Sequence, residues 1–252
     1  MIQSRLDWES PDRNRERFDS LLTPLSGETD VIILPEMFTS GFTMAAPEMA
    51  EQPFGETHNW MLEKAARSGA AVTGSYIVEE AGMYFNRLLW AFPDGSYQVY
   101  NKKHLFRMAG ENEHYTAGMT RTLVSWKDWN ILPLVCYDLR FPAWCRNHFH
   151  PSTGELDYDL LILVANWPAV RSQAWDTLLS ARAIENHAYT AGVNRLGSDG
   201  TGKEYSGHSA VYDPRGTRLA YSEKEEIVNF TLEKEPLEDY RAKFPAYLDS
   251  ND

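Results

Sequence analysis

The chain has 252 residues, of which 43% are hydrophobic and 13% aromatic, enough to build a sizeable core in one large domain or two small ones. A formal net charge of −12, relieved by no cluster of Lys and Arg, argues against nucleic acid or an anionic membrane as partner. No apolar run approaches the roughly 18 residues of a membrane span, and the charged start MIQSRLDWESPDRNRERF lacks the apolar centre of a secretory signal.

Two cysteines, Cys136 and Cys145, are too few for a disulfide framework, so a reducing, cytoplasmic setting is expected. In chain order, Ser10-Pro11 starts a helix over 12–25 with Phe18, Leu21, Leu22 and Leu25 on one face. VIILPEMF (31–38) is an apolar strand that runs into Glu36. Residues 56–68 return to helical spacing, with Trp60, Met61 and Ala65 on one side. The runs AAVTGSYIV (70–78) and FNRLLWAF (85–92) are strands, the second leading into a hairpin at PDGS (93–96). In that turn proline presets one dihedral and glycine permits a positive one.

WNILPLVC (129–136), LLILVANW (160–167), AYTAGVNRL (188–196) and GHSAVYDP (207–214) supply further strands. A helix over 170–186 separates the middle two, with Trp175, Leu178, Leu179 and Arg182 on adjacent turns. Several strands show little polar alternation, which suits sheets covered on both faces. No linker or repeat divides the sequence, so it reads as one α/β domain over 1–252. The amphipathic end, 233–252, is expected to pack back on the domain or on a partner subunit.

Ligands of α/β folds gather at the carboxyl ends of strands, and three polar sites stand there. Glu36 follows an apolar run, where a carboxylate among apolar groups suits proton shuttling; the plain alternative is a loop cap. In YNKKHLF (100–106), Lys102 and Lys103 either protect a strand edge or turn one ammonium inward as a fixed charge. Cys136 ends its strand either as a small buried hydrophobe or as a nucleophile, which would need a base or a cation beside it.

Other candidates carry less. GSDGTGKE (197–204) has phosphate-loop spacing, but Glu204 replaces the hydroxyl residue and a strand follows instead of a helix. His148 and His150 lack a third metal ligand nearby, and the spacing of Cys136 and Cys145 fits neither a zinc pair nor a redox pair. His104 and His187 read as structural hydrogen-bonding groups.

Together, LPEMFTSGF, NKKHLF and VCYDLRFP resemble the glutamate, lysine and cysteine blocks of the nitrilase superfamily, the carbon–nitrogen hydrolases. LILVANWP, RAIENHAY (182–189) and NRLGSDGTGKEYSGHSAVYDP are also family-like, so the resemblance spans nearly the whole chain. It implies a four-layer α-β-β-α sandwich, commonly a homodimer, with Glu36, Lys102 and Cys136 as the catalytic set and no metal or organic cofactor. A second family glutamate lies seven positions before a glycine, which matches Glu111 with Gly118; Glu113 is the alternative. The front departs from the family in having only residues 2–5 for its first strand.

Within the superfamily, CYDLRFP, ANWP and LDWESPDRNRERF look like the bacterial ω-amidase branch. That likeness implies hydrolysis of the terminal amide of small keto dicarboxylates through a cysteine thioester, with the Tyr137 backbone N–H receiving the oxyanion. Arg is the natural clamp for the far carboxylate. Arg171 is preferred, with Arg140 as a structural partner of Asp138, and Trp167 and Phe42 as pocket walls. Rival readings keep the chemistry on nitriles, N-carbamoyl compounds or deaminated glutathione-like peptides, or make the fold a non-catalytic binding module.

Overall fold

The uninterrupted apolar runs become strands with little of either face exposed. The computed structural model describes residues 1–23, 27 and 29–249. Leu25 of the expected first helix, and the last three residues of the tail, lie outside the described residues. In chain order come β1 (Ile2–Gln3), α1 (Pro11–Leu22), β2 (Val31–Ile33), α2 (Ala46–Met49), α3 (Glu56–Ser68), β3 (Ala71–Glu80), β4 (Met83–Ala91) and β5 (Tyr97–Asn101). Next are α4 (Glu111–His114), β6 (Val124–Trp126), β7 (Trp129–Val135), α5 (Pro142–Cys145), β8 (Phe149–His150), β9 (Glu155–Leu156), β10 (Leu160–Ala165) and α6 (Ser172–Asn186). The chain continues through β11 (Tyr189–Asn194), β12 (Leu196–Ser198), β13 (Glu204–Ser206), β14 (Ser209–Tyr212), β15 (Arg218–Ser222), β16 (Glu226–Ile227) and α7 (Lys234–Lys243).

Two sheets carry the fold. One has the order β2-β3-β4-β5, with β2 and β3 parallel and the rest antiparallel. The other has the order β15-β14-β11-β10-β7-β6, with β7, β10 and β11 parallel in its middle. Every residue of β10 and β11 is buried, as parallel strands require when both faces are covered. Leu88, Trp90 and Tyr100 of the first sheet share a core with Leu132, Leu134 and Leu161 of the second.

Helices cover the other sides. Phe18 and Leu22 of α1, with Trp60, Met61 and Ala65 of α3, pack on Val72 and Leu89. On the second sheet, Trp175, Leu179 and Ala183 of α6 face β11 and β14. Gly192 permits that approach: a Cβ there would stand 2.6 Å from both the Trp175 and Leu179 side chains.

The helices differ from expectation mainly at their ends. The first starts on Pro11, and the sixth is preceded by a 3-10 turn over Ala169–Arg171. The tail helix α7 returns to its own chain, burying Leu237 completely. Its Arg241 donates to the carbonyls of Tyr158 and His187 and pairs with Asp159 at 2.7 Å. No helix among the described residues is long and apolar enough to cross a membrane.

Candidate active site

Four strand ends converge on one point. Glu36 lies just past β2, Lys102 just past β5, Cys136 just past β7 and Asn166 just past β10. Parallel β7 and β10 bring their carboxyl ends out together, and the shared core sets β2 and β5 opposite them.

Lys102 is fully enclosed, and its Nζ donates to Glu36 Oε1 and to both Glu111 oxygens, each at 2.9 Å. Glu111 opens α4 and is itself buried, whereas Glu113 is exposed. Lys103 turns away, its ammonium over the Trp144 ring. Gly118 accounts for the seven-residue spacing in physical terms. A Cβ there would lie 2.0 Å from the Asn101 carbonyl oxygen, and the Gly118 N–H donates to the Lys102 carbonyl at 2.8 Å.

Glu36 does not sit among apolar groups, as its sequence context suggested. Its Oε1 also accepts from Asn86 Nδ2 at 2.8 Å, and its Oε2 from the Asn166 backbone N–H at 2.8 Å. Met37 and Phe38, which follow it, pack into separate apolar clusters instead. Burial alone would strip the Lys102 ammonium of its proton, but Glu111 and Glu36 hold its pKa above the usual lysine value. Burial pushes the Glu111 carboxyl up, Lys102 draws it down and Glu36 pushes it up again. The Cys136 thiol is pushed well above its ordinary value, first by burial and then by the Glu36 carboxylate, against the pull of Lys102.

Cys136 stands on a sharp elbow with φ 47°, a left-handed conformation that costs about 1–3 kcal/mol outside glycine and persists only where neighbours impose it. Asp138 imposes it here. One carboxylate oxygen accepts from Tyr100 OH at 2.7 Å and Val135 N–H at 3.2 Å; the other accepts from His104 N–H at 2.9 Å and meets His104 Nδ1 at 2.8 Å. The elbow is thereby tied to the loop that carries Lys102. Those bonds correct the expected pairing of Arg140 with Asp138, whose oxygens are already taken.

Arg140 instead faces the cavity above Cys136, its guanidinium 5.0 Å from the Trp167 ring centre. Arg171 lines the same cavity, 5.3 Å from the Phe106 ring centre and 3.1 Å from the Met108 sulfur. Phe42 and Trp167 line the same cavity, as do Tyr137 and Lys203. Among the described residues, no ion pair ties Arg140, Arg171 or Lys203 to a carboxylate. Unpaired cations gathered in one cleft of an acidic protein favour an anionic ligand.

Of the remaining sequence candidates, only Lys203 of GSDGTGKE reaches this cavity. GSDGTGKE forms the turn between β12 and β13, organised by Asp199, which accepts from the N–H groups of Thr201 and Lys203. His148 and His150 both bond Asp157. No cluster of three or more potential metal ligands occurs among the described residues. Asn86 and Asn166 escaped the sequence reading. Asn86 had one visible signal, a polar side chain inside the apolar run FNRLLWAF.

A family model described as carbon–nitrogen hydrolase matches residues 4–241. The chain is 46% identical to an Escherichia coli protein named Omega-amidase YafV, across 100% of this chain and 96% of that one. A Bacillus subtilis protein named 2-oxoglutaramate amidase is 30% identical, across 98% and 95%. Among solved structures, a CN-hydrolase superfamily protein of Xanthomonas campestris, crystallised with an arsenic adduct in its active site, superposes with a TM-score of 0.98. It is 48% identical, across 100% of this chain and 96% of that one.

Proposed function

The chain belongs to the carbon–nitrogen hydrolase family, and we propose that within it this enzyme is an ω-amidase. It releases ammonia from the terminal amide of small keto dicarboxylates such as α-ketoglutaramate and α-ketosuccinamate. The observation that carries this reading is one cavity lined by Cys136, by Lys102 with buried Glu36 and Glu111 paired to its ammonium, and by Arg140 and Arg171, which pair with no carboxylate among the described residues.

The cluster holds two carboxylates and one ammonium. A standing thiolate would add a second uncompensated negative charge to a buried site, which agrees with the raised thiol pKa. The thiol proton therefore passes to Glu36 as Cys136 sulfur bonds to the amide carbon, and the net charge of the cluster does not change. Negative charge then grows on the carbonyl oxygen, received by the Lys102 ammonium and the Tyr137 backbone N–H; one such fixed donor is worth roughly 3–4 kcal/mol of barrier. Glu36 returns the proton to nitrogen, the C–N bond breaks and ammonia leaves a thioester on Cys136. Water, deprotonated by Glu36, opens the thioester and regenerates the thiol. Glu111 holds Lys102 in place throughout. At the far end, Arg171 or Arg140 takes the substrate carboxylate, with Trp167 and Phe42 as walls.

The proposal includes a four-layer α-β-β-α arrangement in one domain, supported by the core shared between the sheets and by α3 and α6 on their other sides. It also includes a cytoplasmic homodimer, as the family resemblance implies and two free thiols suit. The test is ammonia release from α-ketoglutaramate, α-ketosuccinamate, glutamine and a simple nitrile by the unaltered chain and by Cys136→Ala. Turnover confined to the keto acids and lost in the variant supports the reading. Preference for glutamine or the nitrile overturns it.

A further inference from the structure

Asn86 lies inside β4, on the same side of the strand as Leu88 and Trp90, so its carboxamide projects from an otherwise apolar stripe. It is 1% exposed, and its Oδ1 has no hydrogen-bond partner among the described residues. A buried amide with an idle carbonyl is a poor choice for stability alone. The other half of the same carboxamide is fully used. Its Nδ2 donates to Glu36 Oε1 at 2.8 Å and reaches Glu111 Oε1 at 3.4 Å. The Asn86 backbone carbonyl also accepts the Lys102 N–H at 3.0 Å. One residue thus touches three members of the charged cluster.

We propose that Asn86 is a positioning residue, whose amide group braces the Glu36 and Glu111 carboxylates side by side against Lys102 and keeps Glu36 aligned for the Cys136 proton. Lys102 alone cannot do this. It offers one positive charge to two carboxylates, which repel each other across it, and a proton taken up by the pair relieves that repulsion. The Asn86 N–H groups add donors without adding charge, and so hold the two carboxylates in place beside Lys102. The titratable groups that face the pair are Lys102, Cys136, Tyr115 and Tyr205, while the backbone N–H groups of Asn166 and Phe106 donate to the outer oxygens, Glu36 Oε2 and Glu111 Oε2. Tyr115 donates to the Thr43 carbonyl and Tyr205 to Asp199, so neither replaces Asn86 as a donor.

The test is the pH dependence of Cys136 alkylation by iodoacetamide, which needs no substrate and so stands or falls separately from the ω-amidase reading. Asn86→Leu removes the donor at similar volume. Asn86→Asp keeps the shape but turns the donor into a third carboxyl. The acid-side midpoint of alkylation should move up by about one pH unit in Asn86→Leu, as loss of a hydrogen bond to a charged group implies, and further in Asn86→Asp. With α-ketoglutaramate, kcat should fall at least about tenfold in both while KM moves less than about twofold. Should Asn86→Leu fail to fold, the isosteric Asn86→Asp decides alone. A midpoint unchanged in a folded variant, with only thermal stability lowered, would reduce Asn86 to a packing residue and overturn the proposal.

Discussion

Two charged clusters of similar size sit in this molecule. Around Lys102, two carboxylates share one ammonium, and both the lysine and glutamate side chains are fully enclosed. Around Asp157, the carboxylate is enclosed but its partners Arg121, His148 and His150 are 19%, 41% and 52% exposed. The charged side chains of the first cluster are closed off from bulk solvent, so every proton and donor in it is coupled to every other. In the second, solvent stands in for any partner removed. Carboxylates and basic groups thus form a closed cluster beside Cys136 in one place and a surface clasp in the other, and the difference is access to solvent.

Deleting the charge that balances the buried cluster should have the largest effect. Lys102→Met leaves Glu36 and Glu111 buried without a cation, so turnover should vanish and stability should fall by about 3–5 kcal/mol in a denaturant titration at pH 7. Part of that loss should return as the pH is lowered. Carboxyls whose folded pKa is raised bind protons more tightly folded than unfolded, so acidification favours the folded chain. A variant as stable as the parent would show that the cluster is wet.

The two thiols sharpen the contrast within the buried region. The thiol of Cys145 is pushed up by burial to about 12, and its Sγ contacts the Asp138 carbonyl at 3.5 Å. Among the described residues, no carboxylate accepts a hydrogen bond from it. Iodoacetamide at pH 7.5 should therefore label Cys136 alone in the folded chain, and substrate should block it; peptide mapping reads the outcome. Labelling of Cys145 at a comparable rate would remove the special role given to Glu36.

On the cavity walls Arg171 is half-buried and Arg140 exposed, and neither pairs with a carboxylate among the described residues. Arg171→Ala and Arg140→Ala should each raise KM for acidic amides by roughly 10-fold or more, as expected for hydrogen bonds to a charged group, and leave neutral amides nearly unchanged. Equal losses on both substrate types would count against a carboxylate clamp. The larger effect of the two identifies the main contact.

The surface clasp should respond least. Although burial pushes the Asp157 carboxyl up, its hydrogen bonds to His150, His148 and Arg121 outweigh that and hold it down at about 2. Its contribution is therefore present above the unfolded value of 3.8 and is lost as the pH falls through about 2. Asp157→Asn should cost less than about 1 kcal/mol at pH 7, and less again in high salt. Thermal melts with and without salt check this.

The same contrast explains what could be read from sequence. Glu36, Lys102 and Cys136 were visible because each ends an apolar strand, and a polar residue at such a point stands out against its neighbours. Glu111 rather than Glu113 meets Lys102 because in the short helix α4 positions two apart point in different directions, which no local pattern announces. Nearness in sequence misled at Arg140 and Asp138, since the elbow turns the two side chains apart. Asn86 and Asn166 were hidden because their function lies in contacts with residues 50 and 130 positions away. Strand positions were legible from apolar runs, whereas the pairing of β2 and β5 opposite β7 and β10 depends on long-range packing that no local pattern encodes.

The central claim is that Cys136 forms a thioester with the substrate while Glu36 carries the proton. Acid-quenched mass spectrometry of the chain turning over α-ketoglutaramate tests it most directly. The account predicts a mass increase equal to substrate minus ammonia, carried on the peptide containing Cys136 and absent from Cys136→Ala. An adduct on another residue, or undiminished turnover in Cys136→Ala, would contradict it.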